Sequence, residues 1–101
     1  MPRPEDVMQT KFPVSTVIYD GEDFAIAWGT WNKERLCLGM RWNTTNDDGT
    51  GVGYPNLFGN PCWFVLPDRL TLPILTAISD SKFVSKEAIR KVLLDMIGGA
   101  E

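Results

Sequence analysis

The chain has 101 residues, 44% of them hydrophobic and 11% aromatic, which supplies the core of one small domain and argues against intrinsic disorder. Its 10 Lys and Arg against 13 Asp and Glu leave a net charge of −3, without the clustered basic face by which nucleic-acid-binding proteins neutralise phosphates. No apolar run approaches the roughly 18–20 residues that span a bilayer, and the N-terminal residues do not resemble a signal peptide, so no membrane partner and a cytoplasmic location are expected.

The first half of the chain predicts a β-meander. Residues 1–12 are polar and hold two prolines, which predicts a loosely ordered lead-in before a single domain over residues 13–101. β-Branched residues over 13–19 predict the first strand, and Asp20 and Gly21 follow it as a tight turn in which the glycine supplies a positive φ. The runs Phe24–Trp31 and Arg35–Trp42 predict two more strands. Because the connections between the three strands are short, they must lie antiparallel.

The second half predicts a long connection, one more strand and two helices. Residues 43–61 carry no periodicity and are crowded with Asn, Asp, Gly and Pro, which is typical of a functional loop. A short fourth strand is predicted over 62–66. Apolar residues at helical spacing predict a short helix from Thr71 or Leu72 to Ser79, and a final helix over 86–97 with Ser85 as its N-cap. The predicted fold is α+β: an antiparallel meander of about four strands, with the C-terminal helix and the shorter helix packed on one face.

The second and third strands are apolar on both faces. One face carries large side chains that the final helix can cover. The opposite face, called the small-residue face below, consists of Ala25, Ala27, Gly29, Cys37 and Gly39. Because small residues let another backbone approach closely, something other than solvent is expected there. Three covers are open: the N-terminal segment or first helix, a second copy of the chain in a homodimer, or a ligand held between Trp31 and Arg41.

Catalytic chemistry finds little support in the sequence. No histidine occurs, which removes histidine-dependent nucleophiles, the usual zinc ligand sets and the commonest general base. Asp47 and Asp48 suggest a calcium loop, but the twelfth position of that register is Pro55 and not Glu, so no metal is predicted. Cys37 and Cys62 are interpreted as reduced core thiols that no histidine can activate. The sequence therefore predicts no catalytic residue and no cofactor.

Aromatic and polar residues gather around the 43–61 connection and its anchoring strands. Aromatic rings bring large contact area, and interface hot spots favour Trp, Tyr and Arg. Either the rings close the open end of the core, or they form a binding rim for a partner with Arg41 as the charged contact. The candidate binding residues are Trp31, Arg41, Trp42, Asn43, Tyr54, Asn56, Phe58 and Trp63.

Three segments of the chain carry a resemblance. Residues 39–43 read Gly-Met-Arg-Trp-Asn, residues 53–55 read Gly-Tyr-Pro, and residues 61–68 read Pro-Cys-Trp-Phe-Val-Leu-Pro-Asp. The pattern resembles short uncharacterised bacterial proteins, some of the kind carried on mobile gene cassettes such as integrons. It covers about residues 28–78. The resemblance implies a bacterial cytosolic accessory protein and supplies no catalytic residue or ligand.

Two hypotheses for function follow. The first is a non-enzymatic interaction module, a homodimer through the small-residue face, with the 43–61 connection as the rim that binds another protein. The alternative is a small-molecule binding protein or minor enzyme with a pocket around Arg41, Tyr54, Asp47 and Trp63. A flat two-fold interface favours the first hypothesis, and a concave aromatic pocket with buried carboxylates favours the second.

Overall fold

The computed structural model describes residues 3–7, 9–44 and 51–98. The strands are β1 (Val14–Asp20), β2 (Phe24–Trp31), β3 (Arg35–Trp42), β4 (Asn56–Leu57), β5 (Asn60–Pro61) and β6 (Phe64–Val65), and the helices are α1 (Thr71–Ile78) and α2 (Lys86–Gly98). The main sheet has four antiparallel strands in the order β1-β2-β3-β6, while β4 and β5 form a separate ribbon. Short 3-10 turns occupy Pro4–Asp6 and Asp68–Leu70. The predicted fold class is confirmed.

The β2–β3 hairpin forms the centre of the main sheet. Every residue of β2 pairs with a residue of β3, and both strands have the predicted bounds. β-Branched, aromatic and other apolar residues run through both strands, which explains why local pattern located them. In the turn between them, Asn32 and Lys33 adopt positive φ values of 53° and 62°. Such a turn matches the right-handed twist of the strands that it joins.

The turn between β1 and β2 differs from its prediction. Gly21 does not adopt the positive φ that was expected of it. Instead it is buried, and a Cβ at this position would lie 2.7 Å from the ring of Tyr19. The backbone N–H of Gly21 donates to the carbonyl oxygen of Phe24 at 3.0 Å. The glycine is therefore required by the close approach of a ring and not by the backbone conformation.

Both helices pack on one face of the main sheet and complete the larger core. Their bounds match the predictions to within one residue, and the Ser85 hydroxyl caps α2 by accepting from the backbone N–H of Ala88 at 3.2 Å. Burial of a large apolar side chain in such a core stabilises the fold by roughly 1.5–3 kcal/mol. The central contacts join Leu75, Ala88 and Val92 of the helices to Trp28 and Leu38 of the sheet. Within the described part of the chain, no helix is long and apolar enough to cross a membrane.

The small-residue face is covered from within the chain by the N-terminal segment. Val7 and Phe12 are 2% and 0% exposed and form a second core with this face and with Trp63. A Cβ on Gly39 would lie 2.7 Å from the ring of Phe12, and one on Gly29 would lie 2.6 Å from the carbonyl oxygen of Pro13. The small residues therefore leave the space that the N-terminal segment fills.

Two expectations concern the residues in this packing. Residues 1–12 were predicted to be a loosely ordered lead-in; within them Phe12 is buried, and the Asn32 N–H donates to the Lys11 carbonyl oxygen at 2.7 Å. The residues predicted to form a dimer face are buried inside one chain, and homodimerisation stays a prediction. Those residues are Ala25, Ala27, Gly29, Cys37 and Gly39. The cover is the N-terminal segment, one of the alternatives that the sequence left open.

The 43–61 connection holds more structure than its composition indicated. Its described part contains β4 and β5, joined by a two-residue turn in which Phe58 and Gly59 have φ values of 53° and 81°. Two positive φ values in succession define the tight turn that suits a hairpin. A phenylalanine at such a position is uncommon, which explains why the sequence did not predict this turn.

Candidate functional site

A backbone bridge anchors the 43–61 connection against the end of β3. The Trp42 N–H donates to the Tyr54 carbonyl oxygen at 2.7 Å, and the Tyr54 N–H donates back to the Trp42 carbonyl oxygen at 3.0 Å. Gly53 makes this approach possible: its φ is +78°, and a Cβ there would lie 2.0 Å from the Trp42 carbonyl oxygen. Because no side chain fits in that space, the bridge depends on glycine at this position.

Beside the bridge, the end of β3 and the neighbouring β6 form a groove of about 460 Å³. Its lining consists of Met40, Arg41, Trp42, Tyr54, Pro55 and Phe64, and is called the aromatic groove below. Trp42, Tyr54 and Phe64 are 57%, 51% and 59% exposed. Folded proteins bury rings of this size where they can, so three half-exposed rings around one groove indicate a surface for contact.

A row of packed rings supports one wall of the groove. Trp42 meets the ring of Phe24 edge-on, with centroids 5.9 Å apart. Phe24 stacks on Tyr19 at 4.7 Å, and Tyr19 meets Phe83 at 6.0 Å. One side of the Trp42 indole is therefore held by the domain while the groove side stays open. This arrangement fixes a large apolar surface without burying it.

Arg41 has a structural position and not the rim position that the sequence suggested. Arg41 is 2% exposed. Its guanidinium donates to the carbonyl oxygen of Cys62 at 2.8 Å and also to the carbonyl oxygen of Val52. Burial lowers the pKa of the guanidinium from its ordinary value, and its Nε has no hydrogen-bond partner among the residues described. Because Val52 and Cys62 lie on either side of the β4–β5 ribbon, Arg41 fastens both ends of that ribbon to β3.

Asn43 and Trp63 are likewise buried and structural. The Asn43 side-chain amide donates to the Gly21 carbonyl oxygen at 2.9 Å, which ties the end of β3 to the first turn. The Trp63 indole N–H donates to the Val7 carbonyl oxygen at 3.1 Å, and its backbone N–H donates to the side chain of Gln9 at 2.8 Å. Both residues are therefore removed from the predicted binding rim.

The remaining predicted residues lie on the main sheet and on the separate β4–β5 ribbon. Trp31 is half-buried at the border of the small-residue face. Asn56 is exposed on β4, and its side-chain amide donates to the Gly53 carbonyl oxygen at 3.3 Å. Phe58 is 95% exposed at the tip of the β4–β5 ribbon. Of the eight candidate binding residues, only Trp42 and Tyr54 present half-exposed rings to the aromatic groove.

Sequence reasoning missed Met40, Pro55 and Phe64. One signal for Phe64 was present, because neighbouring residues of a strand point to opposite faces. Trp63 and Phe64 were both placed in the fourth strand, but only one of them can face a given side. The structure buries Trp63 at 2% exposure and turns Phe64 outward at 59%.

The enzyme alternative required Arg41, Tyr54, Asp47 and Trp63 around one pocket. Asp47 lies outside the described residues. Trp63 packs against the N-terminal segment, Arg41 is buried, and Tyr54 lines the aromatic groove. Among the residues that the structure describes, no carboxylate is buried and no three acidic or cysteine side chains cluster so as to hold a metal ion. The described residues therefore do not form the pocket that this alternative needed.

The two cysteines should differ sharply in reactivity. Both are free, with Cys37 fully buried and Cys62 half-buried, and burial raises the pKa of the Cys37 thiol. Since the thiolate is the reactive form, a maleimide reagent at pH 7 is expected to label Cys62 and to leave Cys37 unmodified until the protein unfolds. Mass spectrometry of tryptic peptides measures this, with labelling in urea as the control. Equal labelling of the two thiols in the native state would contradict the buried position of Cys37.

No family model, curated protein or solved structure matches the chain. The resemblance to proteins of mobile gene cassettes therefore stays a prediction, and the site is interpreted from its own geometry.

Proposed function

We propose that this protein is a non-enzymatic binding module that holds a segment of another protein in the aromatic groove. The supporting observation is the exposure of Trp42, Tyr54 and Phe64 around one volume of about 460 Å³. Exposed apolar patches on small soluble domains mark interaction surfaces, and Trp and Tyr dominate the binding energy of interfaces.

Binding is favoured over catalysis by the chemistry of the lining. Among the lining residues that the structure describes, the only ionisable side chains are Arg41, which is buried, and Tyr54. General acid–base and nucleophilic catalysis require a positioned group that changes protonation or attacks near neutral pH. The groove offers rings, a thioether and a proline instead, which suit contact with an apolar ligand.

The proposal places partner recognition at the aromatic groove and not at the small-residue face. The homodimer hypothesis depended on an uncovered small-residue face, and Phe12 occupies that face. A cytoplasmic role in a bacterium remains part of the proposal, as the resemblance carried by residues 39–43, 53–55 and 61–68 implies.

A library of random peptides displayed on phage tests the proposal without assuming a sequence. Selection against the wild-type protein is expected to enrich peptides that lose at least about tenfold in affinity when Trp42→Ala and Tyr54→Ala are combined, because truncated hot-spot rings lose that much or more. The backbone bridge between these residues does not depend on their side chains, so the variant should keep its fold. Circular dichroism and the unfolding midpoint check this.

Leu94→Ala is the matched control. Leu94 is 58% exposed on α2, nearly the same as Trp42, and does not line the groove. The enriched peptides should bind this variant as they bind the wild type. Failure to enrich any peptide, or enrichment of peptides that are indifferent to Trp42 and Tyr54, would refute the proposed function.

A further inference from the structure

The tip of the β4–β5 ribbon carries the most exposed large apolar side chain among the described residues. Phe58 is 95% exposed there, and its neighbour Leu57 is 64% exposed. The ring of Phe58 has no aromatic partner within the described part of the chain. Its φ of 53° is a conformation that disfavours phenylalanine. Such conformations cluster at binding sites and switch regions, which makes Phe58 a candidate contact residue.

The sequence around this tip is uncharged. Residues 51–67 contain no Asp, Glu, Lys or Arg, although these four residue types make up 23% of the chain. Interface cores are depleted in charged residues and enriched in Tyr, Trp and Phe, all of which occur in this stretch. Every copy of the chain carries a net charge of −3, so an uncharged contact surface lets two copies meet without repulsion at the point of contact.

The aromatic groove accepts an uncharged apolar group, because its surface is almost wholly apolar. The cation of the lining, Arg41, is 2% exposed, and its guanidinium is bound to the carbonyl oxygens of Cys62 and Val52. Arg41 therefore offers no open charge to an acidic occupant. A polar occupant would lose its water without gaining a partner, while an aromatic ring gains contact with the three half-exposed rings of the groove.

The groove and the tip lie at opposite ends of one ribbon. Tyr54 and Pro55 line the groove and immediately precede β4, whereas Phe58 lies in the turn that joins β4 to β5. The tip is roughly 10 Å from the base of the ribbon, since a strand rises about 3.3 Å per residue. Within one chain Phe58 does not enter the groove, because it is 95% exposed and is not part of the lining. Two ribbons laid antiparallel place each tip beside the other's base, which is the reciprocal contact that a two-fold axis produces.

We infer that a second copy of the chain occupies the aromatic groove, with Phe58 of each copy inserted between Trp42, Tyr54 and Phe64 of the other. The groove volume of about 460 Å³ lies within the range of roughly 300–1,000 Å³ that is typical of binding pockets. The inference goes beyond the proposed function, because it names a second occupant of the same groove. A partner segment and the second copy exclude each other there, so self-association regulates access to the groove.

Analytical ultracentrifugation tests the inference through the dependence of mass on concentration. A contact limited to two ribbons belongs to the class that buries less than about 1,200 Å², so association is expected at roughly 10–500 µM. The wild type should have the monomer mass at about 1 µM and approach twice that mass at about 1 mM. Phe58→Ala should weaken association at least about tenfold. Leu94→Ala, which truncates an exposed side chain on α2, should leave association unchanged.

Mixing two variants shows whether Phe58 enters the groove of the other copy. Phe58→Ala keeps an intact groove and Trp42→Ala keeps an intact Phe58, so one of the two reciprocal contacts survives in a mixed pair. Each variant alone loses both contacts. The mixture is therefore expected to associate several-fold more tightly than either variant alone, measured by ultracentrifugation with one variant fluorescently labelled. Both substitutions truncate exposed side chains, and the unfolding midpoint at about 1 µM checks that each variant keeps its fold.

Peptides enriched from the random library separate this inference from the proposed function. A peptide that depends on Trp42 and Tyr54 should return the wild type to the monomer mass. By fluorescence anisotropy it should bind Phe58→Ala as tightly as the wild type, because Phe58 does not line the groove. A monomer mass up to about 1 mM, or a mixture that associates no better than its components, would overturn the inference and leave the binding module intact. Absence of any such peptide would refute the proposed function and leave self-association to be decided by the mixture.

Discussion

Replacing Phe12 by alanine is expected to destabilise the domain by about 3–5 kcal/mol, the usual loss for a fully buried phenylalanine. Phe12 is 0% exposed, and its ring fills the space above Gly29 and Gly39. The floor of that space is built from glycine, alanine and cysteine, whose side chains are too short to fill it when the ring is removed. Since domains of this size have only about 5–15 kcal/mol of stability, the loss is a large fraction of the total.

Urea denaturation followed by tryptophan fluorescence measures the Phe12→Ala effect. Phe58→Ala is the matched control, because Phe58 is 95% exposed and its truncation should change the free energy of unfolding by less than about 0.5 kcal/mol. A loss below about 1 kcal/mol in Phe12→Ala would show that the N-terminal segment is not the cover of the small-residue face.

Replacing Gly53 by alanine is expected to lower the free energy of unfolding by about 2–4 kcal/mol and to abolish peptide binding in the aromatic groove. The left-handed conformation at φ +78° disfavours alanine, and the added Cβ would lie 2.0 Å from the Trp42 carbonyl oxygen. Relief of that overlap separates Trp42 from Tyr54 and breaks the two hydrogen bonds between them. Tyr54 then leaves the groove, so affinity falls together with stability.

Gly59→Ala separates the two causes. Gly59 has a similar φ of +81°, but a Cβ there would meet nothing within 4 Å. This variant should show only the conformational cost, about 1–2 kcal/mol, and should keep peptide binding. Urea denaturation and peptide anisotropy on both variants give the comparison. Equal losses in Gly53→Ala and Gly59→Ala would show that the close approach to Trp42 is unimportant.

Local pattern predicted the fold well where neighbours in sequence are also neighbours in space. The bounds of β2, β3, α1 and α2 follow from alternation, helical spacing and the Ser85 cap. The same pattern failed for the β4–β5 ribbon, because its turn places Phe58 in a conformation that phenylalanine rarely adopts. The turn at Gly21 was predicted correctly, but glycine is required there because the Tyr19 ring lies close to it, and not because of a positive φ.

The candidate site was predicted only in part. The sequence indicated an aromatic cluster around the 43–61 connection, and Trp42 and Tyr54 do line the groove. It did not show that Arg41 would turn inward to bind the carbonyl oxygens of Val52 and Cys62. It also did not show which of Trp63 and Phe64 would face outward, since that depends on the register of β6 against β3.

The sequence by itself determined that a small α+β domain would form with apolar side chains on both faces of its central hairpin, because strand alternation is a local property of the chain. Only the tertiary structure decided what covers the small-residue face. The choice between the N-terminal segment and a second copy depends on whether Phe12 reaches Gly29 and Gly39, which are separated from it by 17 or more positions. Contacts across such distances depend on the packing of the whole chain, and no local pattern records them.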